Sequence, residues 1–149
     1  MFDNDLYSEK LKRIAEYTNK LADVASGANT MNAPLMIRDF IVAMDITNSL
    51  LAQAIRDDSK ATSALKEAES IAYFDRATDY LKSKGVKDSS EAKKMYIYID
   101  EDYKIAADKK AKTEAMVSLL KNKLQEFRCA HDSIKKMAYS SDYSNTPME

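Results

Sequence analysis

The residues with the most chemistry to offer lie between Tyr73 and Tyr103. Five of the nine tyrosines, Tyr73, Tyr80, Tyr96, Tyr98 and Tyr103, fall there together with Phe74 and the cations Arg76, Lys82, Lys84, Lys87, Lys93 and Lys94. Aromatic rings stack on bases at roughly 1–3 kcal/mol each and cations neutralise phosphates, so this combination suits a single strand of nucleic acid. The candidate nucleic-acid-binding residues are Tyr73, Phe74, Arg76, Tyr80, Lys82, Lys84 and Lys87. Asp75, Asp79, Asp88 and Glu91 dilute the charge. Tyrosines at a helical corner also close a core while keeping their hydroxyls wet, so a protein interface accounts for the same residues.

Elsewhere the chain offers little that could catalyse. His131 is the sole histidine and falls on an apolar seam, which suits a structural or interface role better than a general base with no nucleophile nearby in sequence. Gly27 and Gly85 are the only glycines, so no phosphate loop can be built, and no Cys/His spacing suits a metal. Asp57 and Asp58 are adjacent and therefore point to different sides of a helix, a solvated or capping pair rather than cation ligands. Glu67, Glu69 and Asp75 among lysines read as an ordinary charged surface. The single cysteine, Cys129, excludes an intramolecular disulfide and reads as a buried reduced thiol. The expectation is a non-enzymatic protein with no cofactor and no metal.

Composition fixes the class of scaffold that must position the tyrosine-rich stretch. With 149 residues, 45% hydrophobic and 32% charged, two Gly, two Pro and no Trp, the chain reads as all-α. A net charge of -1 and a pI near 5.9 exert no global pull toward polyanions, so any such binding must come from a local basic patch. The apolar runs are too short to span a bilayer, no helix sets a basic face against a broad apolar one, and residues 1–5 are acidic rather than a leader. A cytoplasmic location without membrane contact is the expectation.

In chain order, Leu6, Leu11, Ile14, Tyr17, Leu21 and Val24 mark an amphipathic helix over residues 5–25, followed by a linker over 26–33. From residue 35 to 84 neither Gly nor Pro intervenes, and Ile37, Phe40, Ile41, Met44, Leu51 and Ile55 form a stripe that resumes at Leu65, Ala68, Ile71, Ala72 and Phe74. A second helix could be capped by Asp57, Asp58 or Ser59, but a continuous rod through Arg56–Ser63 fits better. Gly85 ends the rod. Asp88 with Glu91 resembles a capping box and opens a short helix over 89–99.

The last helix, over 101–138, is capped by Asp100 and carries a seam of Tyr103, Ala106, Val117, Leu120, Leu124, Phe127, Ile134 and Ala138, advancing by threes, fours and their sums. Residues 1–138 are thus expected to form a single domain, a long antiparallel helical hairpin with an added N-terminal helix, and residues 139–149 a polar, disordered tail. A helix this long needs a long partner. The seam residues Val117, Leu120, Leu124, Phe127, His131 and Ile134 are therefore assigned to contact between copies in a homo-oligomer.

The block Asp100, Glu101, Asp102, Tyr103, Lys104, then Met116, Val117, Leu120, Leu124, Phe127 and the ending Ile134, Lys135, Lys136, resembles the carboxy-terminal region of the UvsY-like recombination mediators of tailed phages. The pair Tyr73 and Phe74 is similar to the double aromatic ending that family's DNA-binding helix motif, with Ile71 at an apolar position before it. The likeness covers roughly residues 65–137. It departs where the family carries Lys and Arg before the aromatics, since this chain has Ala68 and Ser70 beside Glu67 and Glu69. The resemblance implies a ring of identical subunits that binds single-stranded DNA and helps load a recombinase onto strands coated by single-strand-binding protein, in the cytoplasm of an infected cell. A phage structural or adaptor protein, placed in the virion and working through helix-mediated assembly, is the alternative.

Overall fold

A computed structural model describes residues 4–27 and 32–142, and the described residues are almost entirely helical, with no strand among them. The order is α1 (Asn4–Gly27), α2 (Ala33–Ile71), a π-helical turn (Ala72–Arg76), α3 (Ala77–Ser83), α4 (Ser90–Ile97) and α5 (Glu101–Asp142). α1 continues through Gly27, so what remains of the expected linker falls largely at residues 28–31, outside the described residues. α5 runs four residues past the boundary expected at 138, since nothing in Tyr139–Asp142 breaks a helix; of the expected tail, residues 143–149 lie outside the described residues.

Local signals set the ends of these elements. The Asn32 carbonyl accepts the Met36 N–H at 3.1 Å, which leaves Pro34 in the first turn of α2, where a missing N–H costs nothing. α3 ends in a Schellman motif: Gly85 sits at φ +66°, its N–H donates to Lys82, and the Val86 N–H donates back to Leu81 at 3.0 Å. Ser89, not Asp88, caps α4, because its hydroxyl accepts the Ala92 N–H at 3.2 Å. Asp88 instead pairs with Lys93 and accepts from Thr78.

The chain divides into two compact units, Met1–Ala52 with Ser118–Glu149, and Gln53–Val117. In the first, Phe40, Ala43, Ile46, Thr47 and Leu50 of α2 and Leu120, Leu124, Phe127, Ala130 and Ile134 of α5 are buried, with Ile14 of α1. Phe40 and Phe127 lie 6.0 Å apart at its centre. The Thr47 hydroxyl donates to the Ala43 carbonyl at 2.7 Å, so no polar hydrogen is orphaned there. α1 is tied to α2 by Lys20 on Asp39 at 2.7 Å and by Lys10 on Ser49 at 3.1 Å.

The second unit has a thinner core, built on Ala54, Ala61, Ala72, Ala77, Leu81 and Ile97. Small side chains let helices approach closely but bury little area each, so polar ties matter more here. Asp58 accepts from Lys110 at 2.7 Å and from Thr113 at 2.9 Å, joining α2 to α5. It is therefore an interhelical anchor rather than the solvated or capping group expected, and those two donors hold its carboxyl below the ordinary range.

The buried face of α2 differs in part from the one expected. Phe40 of the expected stripe is buried, but Ile41 and Ile55 are 50% and 46% exposed, and Ala43, Ile46, Leu50, Ala54 and Ala61 complete the buried face instead. Cys129, read as buried, is exposed, one position before the buried Ala130.

Candidate nucleic-acid interface

The corner of the second unit is assembled from the π turn, α3 and α4, which pack on one another. Ala72 and Ala77 explain why the turn is wide. Both are wholly buried and stand five residues apart, a spacing that in an α-helix points side chains about 140° away from each other. The π turn, in which the Ala77 N–H donates to the Ala72 carbonyl, absorbs one extra residue and returns both alanines to one face. The four residues between them are Tyr73, Phe74, Asp75 and Arg76. The rod expected to run unbroken over 35–84 is thus interrupted at the candidate site, while it is continuous through Arg56–Ser63.

Tyr73 is half-buried. Its ring meets Phe74 edge-on, with centroids 4.9 Å apart and planes at 77°, its hydroxyl lies 3.2 Å from Ser90 Oγ, and Lys93 Nζ stands 5.8 Å from its centre. Phe74 is left 72% exposed. Together with Glu69, Ser70, Lys94 and Ile97 the two rings line an open groove of about 230 Å³.

Arg76 does not stand free for a phosphate. It pairs with Asp102 and, at 3.2 Å, with Asp100, which in that order raise its affinity for its proton. Burial works to lift the Asp100 carboxyl, but the Tyr103 N–H at 3.1 Å, Arg76 and the Tyr96 hydroxyl at 3.1 Å hold it below the ordinary value. Tyr96 is in turn pushed up by burial and by its bond to Asp100. Arg76 therefore fastens the π turn to the start of α5. The Asp100 cap was readable in the sequence; Arg76 as its partner, 24 residues away, left no local signal.

The Tyr80 ring packs against that of Tyr96, with centroids 4.8 Å apart and planes tilted by 40°, and Lys84 Nζ stands 5.8 Å from the Tyr80 ring centre. Lys82, Lys84 and Lys87 are exposed, surround the left-handed Gly85, and form no ion pair with any described residue. Between Tyr80 and Lys87 there is no carboxylate. Tyr98 and Tyr103 meet edge-on at 6.0 Å, and Met95, Tyr98, Ile99 and Ile105 are all largely exposed. Lys94 and Ile97, absent from the expected site, enter it because α4 folds onto the π turn.

The residues assigned to contact between copies lie in the other unit, except Val117. Leu120, Leu124, Phe127 and Ile134 are buried within the single chain, because α1 and α2 supply the apolar cover that a second copy was expected to bring. Val117 and His131 are half-buried, the His131 ring lying 3.1 Å from the Asp132 carboxylate.

Among the described residues no group of His, Cys, Asp and Glu is placed to hold a metal, and no helix is long and apolar enough to cross a membrane. Comparison with protein-family models, curated proteins and solved structures finds no match.

Proposed function

We propose that the protein is a non-enzymatic single-stranded-DNA-binding protein that works through the α3–α4 corner, as a mediator that helps load a recombinase onto strands coated by single-strand-binding protein. The observation carrying this reading is the turn from Lys82 to Lys87, three exposed lysines with no carboxylate among them, beside the Tyr80 ring and in the same unit as the open face of Phe74. Lysines in that setting neutralise phosphates, and an exposed ring offers a base a stacking partner whatever its sequence. Arg76, in this account, positions the π turn and does not touch DNA.

The proposed architecture behind it is the antiparallel hairpin. In the second unit Asp58 meets Lys110 and Arg76 meets Asp100, so rising numbers on one side meet falling numbers on the other, which supports that direction. Self-assembly, if it multiplies a weak patch by avidity, would use a surface other than the buried seam of Leu120 and Phe127.

The test is a labelled single strand titrated with protein at low salt, with light scattering for mass in the presence and absence of the strand. Retardation by the native chain and about tenfold weaker binding by Phe74→Ala are expected from the loss of one stacked ring. No binding at low salt would overturn the reading. A protein adaptor is the second reading, favoured by the exposed Met95, Tyr98, Ile99 and Ile105, which suit a protein partner better than a phosphate backbone.

A further inference from the structure

The groove beside Phe74 has polar walls of opposite character. Lys94 supplies a cation, whereas Glu69 and Ser70 supply acceptors, since Glu69 is a carboxylate and the Ser70 hydroxyl already spends its hydrogen on the Lys66 carbonyl at 2.9 Å. Its floor is apolar and aromatic, with the Tyr73 ring fixed edge-on beneath the exposed Phe74 and braced by Lys93 and Ser90. About 230 Å³ of open space admits a single ring rather than a duplex.

Resting on the reading above, we infer that this groove takes one unstacked nucleobase and prefers a base with an exocyclic amino group, cytosine above uracil or thymine. Phe74 stacks on the base, Lys94 meets the adjoining phosphate, and Glu69 accepts the amino hydrogen, the pairing a carboxylate makes with the cytosine amino group in duplex grooves. Uracil presents a carbonyl oxygen at the same ring position and would set it against the Glu69 carboxylate, leaving two acceptors face to face. Glu69 is then a specificity-determining residue whose charge weakens overall affinity for DNA while sorting bases.

The experiment compares oligodeoxycytidine with oligodeoxyuridine of about 15 residues, at neutral pH and low salt, for the native chain, Glu69→Ala and Glu67→Ala. Each variant removes one exposed negative charge from α2, but Glu67 does not line the groove. The native chain should favour deoxycytidine about fivefold, the worth of one hydrogen bond. Glu69→Ala should bring the ratio close to one while raising affinity for deoxyuridine, and Glu67→Ala should raise both affinities and keep the ratio. Equal affinities in the native chain, or a ratio that survives Glu69→Ala, would overturn base selection and leave DNA binding standing. Failure of both strands to bind would overturn both readings.

Discussion

Asp100 and Arg76 stand 3.2 Å apart across the corner, the carboxylate 3% exposed and the guanidinium 42%. The same carboxylate caps α5 through the Tyr103 N–H and accepts the Tyr96 hydroxyl, so one side chain ends a loop, begins a helix and anchors the π turn that presents Phe74. A buried carboxylate keeps its charge only when its oxygens are satisfied in this way. The rigidity of the site therefore depends on a residue that never contacts the proposed ligand.

Asp100→Ala should cost at least about 1 kcal/mol from the lost cap, with a further penalty for the unpaired Arg76. Asp100→Asn keeps a capping oxygen and isolates the charge. The native carboxyl lies below its unfolded value, so its contribution is fully present above about pH 4 and is lost as pH falls through the folded value. Urea unfolding followed from pH 7 to 2 should show a shallower loss of stability in Asp100→Asn than in the native chain.

Tyr96 shifts the opposite way. Its hydroxyl is held protonated, so that contribution is intact below about pH 10 and is lost as pH rises through the raised folded value. Tyr96→Phe should flatten the alkaline limb of the same stability profile, read by urea unfolding between pH 8 and 11.

Gly85→Ala should destabilise the protein by about 1–2 kcal/mol, the cost of a left-handed conformation for a residue with a Cβ. A Cβ built there meets nothing within 4 Å, so the whole cost is backbone and Gly85→Asn should recover part of it. Thermal unfolding of the two variants checks both figures.

Phe127→Ala should cost about 3–5 kcal/mol, as for a fully buried ring packed on another, whereas Leu119→Ala, at a position 48% exposed, should stay within about 0.5 kcal/mol. If the seam instead served contact between copies, Phe127→Ala would dissociate an assembly and leave the subunit's own stability little changed. Unfolding curves at two protein concentrations separate these results.

What could be read from the sequence was local. The Asp100 cap and the glycine stop at Gly85 are short-range hydrogen-bond patterns, and both stand in the structure. Ser89 displaced Asp88 as the α4 cap because the two differ by one position and Asp88 finds a partner in Lys93. On α2 the apolar stripe contains the buried Phe40 but also the exposed Ile41 and Ile55, because size and apolarity alone do not show that Ala43, Ala54 and Ala61 turn inward. The π turn did leave a trace in the five-residue step from Ala72 to Ala77, but reading it requires knowing that both are buried. Arg76 with Asp100 and Asp58 with Lys110 join residues 24 and 52 apart, and no spacing rule connects them. At the candidate site the residue types were legible; which cations were free and which were paired was a tertiary fact.

The salt dependence of single-strand binding tests the central claim most directly. Anisotropy of a labelled single strand, titrated over a series of salt concentrations, should give affinity that falls linearly in logarithmic terms, and Lys82→Gln, Lys84→Gln and Lys87→Gln together should shrink that slope by about 2, the share of three phosphate contacts. An unchanged slope in the triple variant, or no binding by the native chain at low salt, would contradict the account.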